Sequence, residues 1–347
     1  MLRHIACVIA ALSVLVFTAT AAKTLDIYFI DVEGGQSTLI VTPVGQSLLV
    51  DTGFAATGFN DTSNRGRDAR RIVAAARDAG LKRIDYLLTT HFHADHDGGI
   101  TDVEAQIPID TFVDHGTVPP EAERGVPGTL AAFEAYTAVR SRAHRHIVAE
   151  PGDRIPLEGV DALIVSSAGQ TIRKAIQGKG ARNSSCGTSP IPAQDIYENP
   201  RSTGFVLRFG EFRFLDLGDL SGKPLFDLVC PSDLVGAIDV YLVAHHGGAD
   251  AADPATLAAF QPRVAVLNNG ETKGGAAQIF AMLHGRSDLD VWQLHRSMNA
   301  GVKNFSEPQI ANLDEKTGHW IKINASPDGS FRVTNGRTGF SKNYPKR

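Results

Sequence analysis

Residues 91–99 read His-Phe-His-Ala-Asp-His-Asp-Gly-Gly, and no other stretch constrains the chain as strongly. They follow an apolar run, Ile84-Asp85-Tyr86-Leu87-Leu88, whose pattern predicts a buried strand. Four side chains able to bind a metal, His91, His93, Asp95 and His96, fall within six residues, and Gly98 and Gly99 supply turn freedom behind them. In extended backbone, residues two apart face the same way. His91 and His93 can therefore converge on one ion. Asp95 and His96 follow where the backbone turns and can present to a second ion on the other side. Imidazole and carboxylate suit zinc and its borderline neighbours, and no cysteine lies nearby to suggest a closed thiolate site. Such a loop makes half of an open two-metal site and needs further ligands from elsewhere. A polar loop that simply follows a strand is the plainer alternative.

Residues 1–22 read as a secretory signal. Arg3 gives the positive start, residues 5–17 the apolar stretch, and Ala19-Thr20-Ala21-Ala22 a small-residue cleavage site. The apolar stretch is short for a membrane anchor. No later stretch is long and apolar enough to span a bilayer, so a secreted or periplasmic chain of residues 23–347 is expected. Its length suits one elaborated α/β domain, and no linker divides it. The full chain has 34 basic and 38 acidic residues, a charge of −4; without Arg3 it has 33 against 38, or −5. That balance does not favour nucleic acid as the partner. Arg65, Arg67, Arg70 and Arg71 read as the solvated side of a helix or its approach. Cys7 leaves with the signal, and Cys186 and Cys230 could pair in an oxidising compartment.

Along the chain, strands are predicted at 25–31, 37–42 and 47–53, where apolar runs are bounded by Gly, Pro and Asp. A helix is expected over 67–79, with Gly80 as its stop. The strand at 84 and the metal loop come next, then a short helix, a strand at 109–114 and a helix at about 129–142. Further strands are predicted at 161–166, 203–209, 212–217, 238–243, 263–267 and 290–294, with a helix at about 276–284. The tail reads as a hairpin at about 319–335, turning at Ser326-Pro327-Asp328-Gly329. His115 and His295 end strands and could approach the site, though packed or solvated histidines are the simpler reading. Residues 171–199, with Arg173, Lys174, Lys179 and Arg182, form a long insertion that is either a lid or a surface elaboration.

His91-Phe92-His93-Ala94-Asp95-His96-Asp97-Gly98-Gly99 resembles the signature loop of the metallo-β-lactamase fold superfamily. The likeness continues through the strand-end Asp51, Asn199-Pro200-Arg201-Ser202, Gly218-Asp219 and His245-His246-Gly247. That order resembles the ComEC-like, competence-protein-type branch. The resemblance covers about residues 25–297. It implies an αβ/βα four-layer sandwich, two facing β-sheets with helices outside, and Asp51 as a buried brace for the metal loop. It further implies two divalent ions, zinc first with manganese or iron as alternatives. Their ligands would be His91, His93, Asp95, His96, Asp219 as the bridge and His245, with His246 as the fallback or as a group acting on substrate. Asp95, Asp219 and His246 are the candidate catalytic residues. The chain departs from the commonest pattern at Ser166-Ser167-Ala168-Gly169-Gln170, where many members carry another histidine, so water, Ser or Gln is expected to fill in. It departs again after Asn268-Asn269-Gly270, where Lys273-Gly274-Gly275 stands in place of a His-Pro pair. The implied activity is hydrolysis of phosphodiesters or phosphomonoesters, small or nucleic, by a hydroxide held between the ions. The alternatives are acyl hydrolysis of a lactone, thioester or β-lactam, and a metal-binding module without turnover.

Overall fold

Apolar residues on both faces of a strand must be covered on both sides, and here the alternation sorts them into three separate cores. The structure, a computed structural model, describes residues 24–56, 66–176, 180–188, 197–250 and 253–347. The expected signal segment lies outside them. In chain order, β1 (Leu25–Phe29), β2 (Thr38–Val41) and β3 (Ser47–Val50) form an antiparallel meander. After α1 (Arg67–Asp78), β4 (Ile84–Leu88) joins parallel to β3. Then come α2 (Ile100–Glu104), β5 (Ile109–Asp114), α3 (Ala122–Gly125), α4 (Thr129–Arg140) and β6 (Arg145–Val148).

The second sheet begins with β7 (Arg154–Ile155), β8 (Asp161–Ser167) and β9 (Gln170–Thr171). It continues through β10 (Gly204–Phe209), β11 (Phe212–Asp216), α5 (Gly222–Val229), β12 (Val240–Leu242) and α6 (Pro254–Phe260). It ends with β13 (Val264–Leu267), α7 (Ala277–His284), β14 (Asp290–His295) and β15 (Ile310–Asn312). The chain then returns to the first sheet as β16 (Ile321–Ala325), β17 (Phe331–Asn335) and β18 (Ser341–Tyr344). The first sheet runs β18-β17-β16-β1-β2-β3-β4-β5-β6. The second runs β15-β14-β13-β12-β11-β10-β8-β7, with β9 beside β8. The expected tail hairpin is thus three strands long and pairs with β1.

Period-two alternation builds the layers. Leu25, Ile27 and Phe29 of β1 point into a core shared with Phe205, Leu207, Phe212 and Phe214 of the other sheet, and Phe29 and Phe214 meet edge to face at 5.6 Å. Tyr28, Leu49 and Leu87 point the other way, onto Ile72, Val73 and Ala76 of α1 and Tyr136 of α4. Across the molecule, Tyr241, Val243, Ala265 and Leu267 face α5, α6 and α7. The result is the expected αβ/βα four-layer sandwich. Among the described residues no helix is long and apolar enough to cross a membrane.

Cys186 and Cys230 are joined in a disulfide. Asn183 Nδ2 donates to the carbonyls of Val229 and Ala255 beside it. Residues 180–188 of the insertion are therefore pinned to the α5–α6 side, while 177–179 and 189–196 lie outside the described residues. Closing a 44-residue separation restrains the unfolded chain. Replacing both cysteines with serine should cost about 2–4 kcal/mol. Thermal melts with and without reductant should differ for the parent and coincide for the double variant.

Candidate metal centre

The parallel strands β3, β4, β11, β12, β13 and β14 all deliver their carboxyl ends to one edge of the sandwich, where open α/β sheets place their ligand sites. Asp51 leaves β3 fully buried and accepts from Thr90 N at 2.8 Å, Thr90 Oγ1 at 2.7 Å and His96 Nδ1 at 2.7 Å. The backbone is held as well, because Thr52 N and Oγ1 both donate to the His96 carbonyl. With Nδ1 engaged by Asp51, His96 presents Nε2 to the site, the usual device for orienting a ligating imidazole. Gly98 and Gly99 are required by close packing: a Cβ there would lie 2.2 Å from Ala94 O and 2.1 Å from Thr52 O.

From the second sheet, Asp219 follows β11, and His245 and His246 follow β12. Both histidines have left-handed backbone, φ 49° and 52°, which is uncommon away from glycine. These successive bends send the two rings apart. His246, almost fully buried, places Nε2 3.2 Å from Asp95 Oδ2 and 3.2 Å from Asp219 Oδ2. His245 is 28% exposed, with Nε2 3.7 Å from Asp219 Oδ2 and 3.2 Å from Asn199 Nδ2, and with Nδ1 2.7 Å from Asp250. The order expected from sequence is therefore reversed. The structure groups His246 with Asp95, His96 and Asp219 and leaves His245 at the rim.

These four residues offer atoms that all lie within 4.8 Å of one another. The spacing is tighter than that limit. His96 Nε2 stands 3.2 Å from Asp219, 3.4 Å from Asp95 and 3.2 Å from His246 Nε2, matching the two 3.2 Å separations of His246. Arms of about 2.0–2.1 Å to zinc give a tetrahedron with edges of roughly 3.3–3.4 Å. The donor set and its spacing fit a divalent ion. Beside it, His91 Nε2 and His93 Nδ1 lie 2.9 Å apart, and His91 Nε2 is 3.8 Å from Asp219 Oδ2. Here two buried atoms, His93 Nε2 and Asp219 Oδ1, have no hydrogen-bond partner. This second half is looser, as expected of a set that lacks the strand-end histidine. Ser166 and Ser167 do not fill that gap: their hydroxyls donate to the carbonyls of Ser202 and Ala149.

Electrostatics agree with a cation site. Burial works against the Asp219 carboxylate, but His246, His96 and His245 outweigh it and hold its pKa well below the usual range. Burial likewise opposes the Asp95 carboxylate and is outweighed by Lys273 and His96. Burial lowers the His91 pKa well below normal, and His96 and His93 add to that, so this ring stays neutral and able to ligate.

The family model of the metallo-beta-lactamase superfamily matches residues 30–170. This segment carries the superfamily's pattern. The matched segment holds Asp51 and the His91–His96 loop, and Asp219 and His246 lie beyond it. No curated protein matches the chain. Among solved structures, the chain is similar to a novel metallo hydrolase from Ignicoccus hospitalis (14% identity, TM-score 0.44, 82% of this chain and 100% of that one). It is also similar to the metallo-beta-lactamase fold protein YhfI from Bacillus subtilis (10%, 0.45, 78% and 96%). A third is a mutant metallo-beta-lactamase from Cronobacter sakazakii (17%, 0.33, 55% and 59%), of which less than two thirds is spanned. At these values the likeness says nothing of the reaction.

Several residues have roles at this centre that the sequence did not assign to them. Glu198 Oε2 lies 3.0 Å from His115 Nε2 and accepts from Phe92 N at 3.3 Å, so it steadies the loop from behind. His115, expected to be a packing residue, fills that role against the Phe92 ring. Lys273 is paired with Asp95 and donates to Gly34 O at 2.7 Å. Its sequence signal was the Lys-Gly-Gly departure. Asp250 and Asn199 hold His245 and are distant from each other in sequence.

Proposed function

We propose that this chain is an exported, dinuclear metal-dependent hydrolase of phosphodiester or phosphomonoester bonds. The observation that carries it is the convergence of Asp95, His96, Asp219 and His246, with five separations of 3.2–3.4 Å, and with His91 and His93 beside Asp219. Asp95, His96, Asp219 and His246 would hold one divalent ion, and His91, His93 and Asp219 a second, zinc being the first candidate. Bound there, the metals supply Lewis acidity and an activated water. Asp51 fixes the His96 ring, and Asp219 is shared between the halves. His245 is the imidazole that substrate can reach, and Asp250 at its Nδ1 orients it for proton handling at Nε2. The Asn199-Pro200-Arg201-Ser202, Gly218-Asp219 and His245-His246-Gly247 order supports the ComEC-like branch and with it a phosphoester substrate. The partly exposed Lys273 ammonium supports an anionic substrate.

The test is turnover by the metal-loaded chain of chromogenic phosphodiesters and phosphomonoesters set against carboxylic esters and lactones. Phosphoester turnover is expected. Turnover of esters or lactones alone would move the assignment to acyl hydrolysis, and full metal without turnover would make it a binding module. Lys273→Gln should raise KM for phosphoesters about tenfold to a hundredfold, the size of a lost charged hydrogen bond. The metal content should be unchanged; a KM like the parent's would remove Lys273 from substrate binding. The export reading expects the N-terminus of chain recovered outside the cytoplasm to begin at Ala22 or Lys23. N-terminal sequencing that still finds residues 1–21 would overturn it.

A further inference from the structure

A second group of ligand-type side chains lies at the carboxyl ends of β1 and β14. Asp31, Glu33 and His295 offer atoms within 4.8 Å of one another. Asp31 and His295 are buried, and the Glu33 side chain is 7% exposed. Glu33 sits in left-handed backbone, φ 58°, a conformation that structures maintain mainly where it serves a site. Its N–H donates to Asp31 Oδ1 at 3.0 Å. Arg71 donates to Glu33 Oε1 at 2.8 Å and to Asp31 Oδ2 at 3.3 Å. Arg71 thereby bridges the outer oxygens of the two carboxylates.

The unmatched atoms are informative. His295 Nδ1 lies 2.8 Å from the carbonyl of Arg296 and can only donate to it, which leaves Nε2 directed at Glu33 Oε2. The two atoms are 3.5 Å apart, and neither has a hydrogen-bond partner. That is long for an N–H···O bond. It is close to the roughly 3.4 Å edge between two ligands of a tetrahedral ion with arms of about 2.1 Å. Buried acceptors aimed at each other without a donor are costly, and a cation between them removes the cost.

We propose that Asp31, Glu33 and His295 form a further divalent-cation site, separate from the Asp219 centre. Glu33 Oε2 and His295 Nε2 are its inner ligands, with Asp31 beside them and Arg71 balancing the outer oxygens. The donor set, one imidazole and two carboxylates, suits zinc or manganese. The site has a structural purpose. Glu33 leads into Gly34 and Gly35, where Gly34 O receives Lys273 and Gln36 N donates to the Asp95 carbonyl. A cation there fixes the turn against which Asp95 and Lys273 are set.

The experiment is zinc loading of the full chain, with metal counted per molecule and located by anomalous scattering at the zinc edge. A peak among Asp31, Glu33 and His295 is expected in the parent. The peak should persist in Asp219→Asn, which disrupts only the other centre. Glu33→Gln keeps the shape, and it and His295→Ala should each lose about one equivalent while the peak near Asp219 remains. Absence of a peak among these three residues in excess zinc, or undiminished stoichiometry in both variants, would overturn the proposal. Failure of the hydrolase reading would show separately, as loss of the peak at Asp219.

Discussion

Asp219→Asn is expected to keep the fold and to lose both the metal of its own centre and hydrolysis. The residue is 2% exposed, and its Oδ2 lies 3.2 Å from His96 Nε2 and His246 Nε2, 3.7 Å from His245 and 3.8 Å from His91. Its carboxylate therefore faces both halves of the centre. Asparagine preserves the volume but removes the charge that two cations would share, and its amide hydrogens would point at ring nitrogens that must ligate. Replacing groups that merely stand behind metal ligands costs about 10–100-fold, so loss of the shared ligand should exceed a hundredfold in turnover. An ordinary strand-end aspartate would change stability by no more than about 0.5 kcal/mol and leave metal untouched. Circular dichroism, elemental analysis and turnover of the same preparation separate the two. Parent-like turnover with full metal would move the shared role elsewhere.

Asp51 should behave differently, because it touches no substrate and no ion. Asp51→Ala strips the acceptor from Thr90 N, Thr90 Oγ1 and His96 Nδ1, all of them buried. Breaking a buried charged network of this kind costs about 3–5 kcal/mol, to be read from urea unfolding of metal-free protein. Asp51→Asn is the more selective variant. The φ of 59° at this position suits asparagine, so backbone strain adds nothing. Its amide can still accept from Thr90 but no longer fixes the His96 proton on Nδ1, and metal affinity should fall about 10–100-fold. Unchanged affinity in Asp51→Asn would show that the tautomer of His96 is set by something else.

The sandwich and half of the centre were legible in sequence for a local reason. His91, His93, Asp95 and His96 sit in one loop, and strands such as β1, β12 and β13 carry apolar residues on both faces. The opposite half depended on backbone that sequence does not announce. Two consecutive left-handed histidines exchange the expected places of His245 and His246, and nothing in His-His-Gly specifies that both will bend. Glu198 and Asn199, Asp250, and Lys273 reach the centre from three places in the chain. Each taken singly is an ordinary polar residue. The elements that escaped the pattern were short or polar: β6 is largely exposed, β18 has three exposed residues in four, and α6 is only seven residues long. Edge strands bury one face or none and leave no alternation to read.

The placement of β16 beside β1 ties the beginning of the described chain to its end. Leu25 pairs with Ala325, and the register continues to Phe29 and Ile321. One backbone edge of β1 therefore stays unpaired until β16 has been made. Contacts this remote in sequence raise the contact order and slow folding, since a large loop must close before they are gained. Closing that edge also fixes the first sheet whose strand end carries Asp51.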